Sequence, residues 1–137
     1  MKLTKTYLKD LVYKINGAAI EVHRELGPGL LESVYHKFMI HELSLKGISF
    51  ESELTIPILY KGQSISSGLR CDLLIEGQLV VELKAVDEIH PIHKAQILSY
   101  MELLKISNGL LINFNVSNIF HEGQQTFVNE SYRNLPV

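Results

Sequence analysis

The chain has 137 residues, 46% hydrophobic and 20% charged, with 13 Lys+Arg against 15 Asp+Glu and a formal net charge of −2. That composition excludes a disordered chain and a blanket basic coat for nucleic acid, and the length fits one domain over residues 1–137 with room for one site. A chain of this size buries roughly 68% of its unfolded surface, so it needs neither a metal nor a disulfide to fold.

The apolar residues Leu8, Leu11, Val12, Ile15, Ala19, Val22 and Leu26 follow i, i+3, i+4 spacing and predict an amphipathic helix over 3–26, stopped by Gly27-Pro28-Gly29. A second helix over 30–45 would turn Leu31, Val34, Tyr35, Phe38, Met39 and Leu43 inward and end at Gly47. Residues 48–60 alternate but contain Pro57, which suits an irregular or edge strand. Lys61-Gly62-Gln63 turns the chain into a strand over 65–75, and Glu76-Gly77-Gln78 makes a hairpin into a strand over 79–86. Residues 90–105 read as a helix with Pro91 at its first position, and 110–114 as a short strand buried on both faces. The helix between those last two strands is a crossover, so they should run parallel. The stretch 118–128 adds at most a weak strand or hairpin, with a loose end after it. The order is α-α-β-β-β-α-β, an α/β fold with a mixed β-sheet core flanked by helices.

The lone Cys71 cannot form an internal disulfide, and no apolar run approaches the ~18 residues of a membrane span. Charges interrupt the apolar residues at the N-terminus, so no signal-peptide core is expected there. Cytoplasmic is the expected location, with no membrane contact.

The most informative strand is Leu79-Val80-Val81-Glu82-Leu83-Lys84-Ala85-Val86. Glu82 and Lys84 share one face with Val80, so that face is not simply solvated. Taken alone, an exposed Glu/Lys ladder remains the plain reading. Across the Gly77 turn, however, antiparallel pairing brings Asp72 beside this strand, and two carboxylates and an ammonium then converge. Oxygen ligands of that kind suit Mg²⁺ or Mn²⁺ together with a substrate phosphate. Gln96 and Tyr100 lie at i, i+4 on the following helix, with His93 at i−3 from Gln96, all on one stripe. Glu32 falls in the first turn of the second helix, where the macrodipole favours a carboxylate in any case. His36, His41, His90, His93 and His121 have no zinc-ligand spacing, and His23 suits a hydrogen-bonding role in or near the core.

Gly68 and Asp72, then Glu82-Leu83-Lys84, then Gln96-x-x-x-Tyr100 together resemble the PD-(D/E)XK nuclease superfamily, especially its RecB-like branch. Gly29-Leu30-Leu31-Glu32-Ser33-Val34-Tyr35 is similar to the signature of the GxxExxY protein family, and the resemblance runs from about residue 15 to 128. It implies a restriction-endonuclease-like core and a divalent-metal phosphodiesterase site acting on DNA, with Mg²⁺ or Mn²⁺ as cofactor. Carried over by position, Asp72, Glu82 and the Leu83 carbonyl would bind metal and Lys84 would be the catalytic lysine. Glu32 would complete the site, while Gln96 and Tyr100 would position the DNA phosphate or the lysine. The chain departs from the pattern in having Cys71, not Pro, before Asp72; strand alternation should turn Cys71 into the core.

Three readings stay open at this point. One is a metal-dependent DNA nuclease. Another is an accessory or binding module that keeps the fold without appreciable turnover. The third is a structural ion network of the carboxylates with Lys84 and Arg70. No recognition helix, zinc finger or basic tail is evident, so specificity is not readable in the chain, and a second copy or a partner protein is one source for it that no sequence feature requires.

Overall fold

The computed structural model describes residues 3–137. Helix α1 (Lys5–Leu26) begins where the Thr4 hydroxyl accepts the Tyr7 amide at 3.1 Å, a side-chain N-cap. Its buried stripe Leu8, Leu11, Ile15, Ala18, Ala19 and Val22 recurs at helical spacing. Helix α2 (Glu32–Leu45) buries Tyr35, Met39 and Leu43. The link between them is pinned by Tyr35, whose hydroxyl donates to the Gly27 carbonyl at 2.6 Å and accepts the Leu30 amide at 3.2 Å. The Tyr35 ring stacks on Phe114 with centroids 4.5 Å apart, so the loop before α2 is tied to the sheet.

The strands β1 (Phe50–Tyr60), β2 (Gln63–Ile75), β3 (Leu79–Lys84), β4 (Asn108–Asn113) and β5 (Gln124–Val128) form one sheet in that order. β1 and β2 meet at Lys61-Gly62 and β2 and β3 at Glu76-Gly77; both pairs have positive φ, as type I′ hairpin turns require. β3 and β4 are parallel, joined through α3 (Pro91–Leu104), and every β4 residue is buried, as covered parallel strands demand. β1 is an edge strand whose register shifts between Thr55 and Pro57, in line with the expectation for that proline.

Two cores occupy the two faces. α1 and α2 pack with Leu73, Ile75, Leu79, Val81, Leu83, Leu110 and Ile112. α3 packs through Ile97, Tyr100 and Met101 with Ile56, Cys71, Leu74, Val80 and Leu111. Cys71 is therefore buried, as expected, but it lies with α3 while Leu73, two residues on, lies with α1 and α2. The same reversal occurs on β1: Ser52 pairs with Leu73 and Leu54 with Cys71, whereas Glu53 and Asp72 between them form no ladder pair. Glu53 takes a left-handed φ of 52°. The ribbon thus turns over its faces at Asp72.

The predicted element order holds, with two additions near the C-terminus. A π-helical turn (Ile119–Gly123) leads into β5, and a short α4 (Glu130–Arg133) follows it. The end is not loose: the Pro136 and Val137 carbonyls accept the Lys5 and Thr6 amides at 2.9 and 3.3 Å, completing unsatisfied donors at the start of α1.

Candidate active site

The β2–β3 ladder runs from Ile75–Leu79 to Leu73–Val81 and stops one pair short of Asp72 and Glu82. Side chains take over from the backbone there. Glu82 Oε2 accepts the Asp72 amide at 2.7 Å, and Asp72 Oδ2 accepts the Leu83 amide at 2.8 Å. Each strand's acid thus holds a backbone donor of the other strand through a short hydrogen bond. Asp72 Oδ1 and Glu82 Oε1 take no hydrogen bond from a described residue.

Glu82 is only 4% exposed. Burial, then the Asp72 charge, pushes its carboxyl up to about 8, against the Asp72 amide and Lys84. Burial also raises Asp72, opposed by the Leu83 amide, His36 and Lys84. Two buried carboxylates side by side resist joint ionisation, and a cation between them relieves that conflict. Two carboxylates with a free oxygen each are a hard-oxygen donor set, which fits Mg²⁺ or Mn²⁺ retaining waters. Among the described residues, no three His, Cys, Asp or Glu side chains gather into a complete ligand set. Further oxygens would come from the Leu83 carbonyl, water or substrate.

Lys84 ends β3, and its Nζ donates to Gln96 Oε1 on α3 at 3.3 Å. The chain leaving β3 is held at two points by Asn113, which donates to the Val86 carbonyl at 2.9 Å and accepts the Val86 amide at 3.0 Å. Tyr100, one turn beyond Gln96, is buried; burial first, then the Glu82 and Asp72 charges, raises its hydroxyl, with Gln96 opposing. Gln96 thus contacts Lys84 from α3, and Tyr100 lies within the electrostatic reach of Glu82 and Asp72. His93, expected on the same stripe, is used as a cap: its Nδ1 accepts the His90 amide at 3.0 Å.

Glu32 is exposed on the first turn of α2. The desolvation it does feel raises its carboxyl, Lys84 lowers it, and Asp72 raises it, which places it in the same electrostatic group. His36, one turn further along α2, lowers both Glu32 and Asp72. His36 was not among the expected site residues; its i, i+4 spacing from Glu32 is the signal that marks it.

The ion-network reading is corrected by the contacts. Lys84 goes to Gln96, Arg70 pairs with exposed Glu53 at 3.6 Å, and among the described residues neither Asp72 nor Glu82 forms an ion pair. A cleft of about 580 Å³ is lined by Tyr7, Phe50, Leu74 and Glu76 among others and holds none of the expected residues. It lies between α1 and the β2–β3 turn, whereas Asp72 and Glu82 stand just beyond the last ladder pair of the same hairpin.

No helix among the described residues is long and apolar enough to cross a membrane. No curated protein and no solved structure matches the chain. A family model described as the PD-(D/E)XK nuclease superfamily matches residues 9–126, a span that takes in Glu32, Asp72, Glu82, Lys84, Gln96 and Tyr100. The paired carboxylates and the lysine held beside them lie within that match, and the chain belongs to the PD-(D/E)XK nuclease superfamily.

Proposed function

We propose that the chain is a Mg²⁺- or Mn²⁺-dependent nuclease hydrolysing DNA phosphodiester bonds, built as one nuclease-like domain over residues 1–137. The observation that carries this reading is the reciprocal clamp of Asp72 and Glu82 at the end of the β2–β3 ladder, with Lys84 two residues on. Nucleases of this superfamily generally use divalent metals. Asp72, Glu82 and the Leu83 carbonyl would hold the cation, with Glu32 completing the site from α2. When bound, it would supply Lewis-acid stabilisation of the phosphate charge.

The chain's own groups do the rest. The Lys84 ammonium, steadied by Gln96, orients the attacking water or stabilises charge on the phosphate. Tyr100 backs that arrangement from α3. Within the superfamily, Gly68, Asp72, Glu82-Leu83-Lys84 and Gln96-x-x-x-Tyr100 support a RecB-like series, and Gly29, Glu32 and Tyr35 support the GxxExxY type. A cytoplasmic location and a second copy or partner protein that selects the target complete the reading.

Plasmid and single-stranded DNA incubated with Mn²⁺ should be cleaved, and a chelator should stop the cleavage. Lys84→Ala should lower the rate by at least about 100-fold, the usual scale for losing a positioned proton-transfer group. Activity that survives Lys84→Ala or Glu82→Ala would count against the assignment. A second reading is an accessory module without turnover, favoured by the engagement of both carboxylates with backbone amides. Absence of calorimetric Mn²⁺ binding, even with DNA present, would decide for it.

A further inference from the structure

Helix α2 carries Glu32 and, one turn later, His36, so the two share a stripe. His36 is half-buried, and its Nε2 lies 2.9 Å from Ser52 Oγ on β1. Ser52 pairs with Leu73 in the ladder and directly precedes left-handed Glu53, where the ribbon turns over beside Asp72. The imidazole acts electrostatically on both Asp72 and Glu32, so it borders the carboxylate group. Among the described residues, however, its hydrogen-bond partner is Ser52 and not a carboxylate.

A ring nitrogen bonded to a hydroxyl leaves a proton to spare in either tautomer. If Nε2 accepts from Ser52, the ring proton sits on Nδ1. If Nε2 donates, the Ser52 hydroxyl keeps its own proton. The pair therefore always offers one donor beyond the bond it makes. A spare donor bordering carboxylates that do not take it suits an anionic acceptor brought in from outside. Lys84 bonds Gln96 on α3, while His36 on α2 bonds Ser52 on β1, so the two pairs are carried by different elements around the carboxylates.

We propose that His36, backed by Ser52, is a second phosphate contact of this site. It binds a non-bridging oxygen of the DNA backbone on the α2–β1 side while Lys84 serves the α3 side. The inference rests on the nuclease reading above and names a residue that reading does not include.

The test measures binding of labelled single-stranded and duplex oligonucleotides with Ca²⁺ in place of the catalytic cation, alongside steady-state cleavage with Mn²⁺. His36→Ala should weaken DNA binding about tenfold, the loss of one hydrogen bond to a charged group, and raise KM more than it lowers kcat. His36→Gln, whose amide can donate from a similar place, should recover most of that loss. Ser52→Ala should show a smaller effect in the same direction. If His36→Ala matches wild type while Lys84→Ala is inactive, the nuclease reading stands and this inference falls. A variant with altered Mn²⁺ affinity but unchanged DNA affinity also overturns it, since His36 would then support only the carboxylates. If the wild-type chain neither binds nor cleaves DNA, both readings fail together.

Discussion

At the scale of single residues, Glu82 concentrates the conflict on which the site is built. The Asp72 amide favours its ionised form, while burial and the Asp72 charge favour the protonated one, and burial wins, with the carboxyl pushed up to about 8. In the unfolded chain the same group titrates near 4.5. Between those values the folded protein binds more protons than the unfolded chain, so this stabilisation is fully present below pH 4.5 and is lost as pH rises through about 8. Metal-free protein titrated with urea should accordingly lose stability between about pH 5 and 8. Glu82→Gln keeps an acceptor oxygen for the Asp72 amide but removes the charge. It should flatten the profile and be more stable than wild type at pH 8. Parallel profiles for the two proteins would show that Glu82 is not the group responsible. Cys71 obeys the same physics: burial, reinforced by the Glu82 and Asp72 charges, pushes its thiol up to about 12, which suits a packing residue and not a nucleophile.

At the scale of elements, α2 delivers Glu32 and His36 to the sheet although its N-cap, Leu31, offers no side-chain hydrogen bond. Its entry is set instead by Tyr35, which bonds both Gly27 and Leu30 and stacks on Phe114. The tyrosine thus anchors the loop from which Glu32 begins the helix. Tyr35→Phe would leave the half-buried Gly27 carbonyl without its donor. It should cost about 1–2 kcal/mol in chemical denaturation and slow cleavage, because Glu32 and His36 would lose their fixed approach. Unchanged cleavage with lowered stability would confine Tyr35 to the fold. The ends of β3 are handled comparably, with the Asn113 side chain clamping Val86 so that Lys84 leaves the sheet in one direction.

At the scale of the whole molecule, one sheet separates two apolar cores, and the charged groups gather where the β2–β3 ladder opens between them. The net charge of −2 reads differently in that light, since Glu32, Asp72 and Glu82 account for three of the 15 acids. A bound divalent cation would offset two of those charges, leaving the surface no obstacle to a polyanion. A cation that binds only the folded chain must also stabilise it. At a concentration 100 times its Kd, Mn²⁺ should add about 2.7 kcal/mol and raise the melting midpoint, and Asp72→Ala should abolish that gain. An equal shift in the variant would place the cation elsewhere.

Much of this was legible in the amino-acid order. Helical periodicity located α1, α2 and α3, glycine-bearing turns located both hairpins, and the apolar runs around α3 predicted the parallel β3–β4 pair. The order of Asp72, Glu82 and Lys84 marked the candidate site because hairpin pairing brings nearby strands into register by local rules. Only the tertiary structure decided that the ribbon reverses its faces at Glu53 and Asp72, and that each carboxylate holds the opposite strand's amide. Only there, too, does Lys84 turn to Gln96, does His36 join Ser52 at the border of the site, and do Pro136 and Val137 close the start of α1. The division has a single cause. Periodicity and turn chemistry are properties of neighbouring residues, whereas a side chain's partner depends on where distant backbones stop pairing, and that is settled only when the sheet and its two cores assemble.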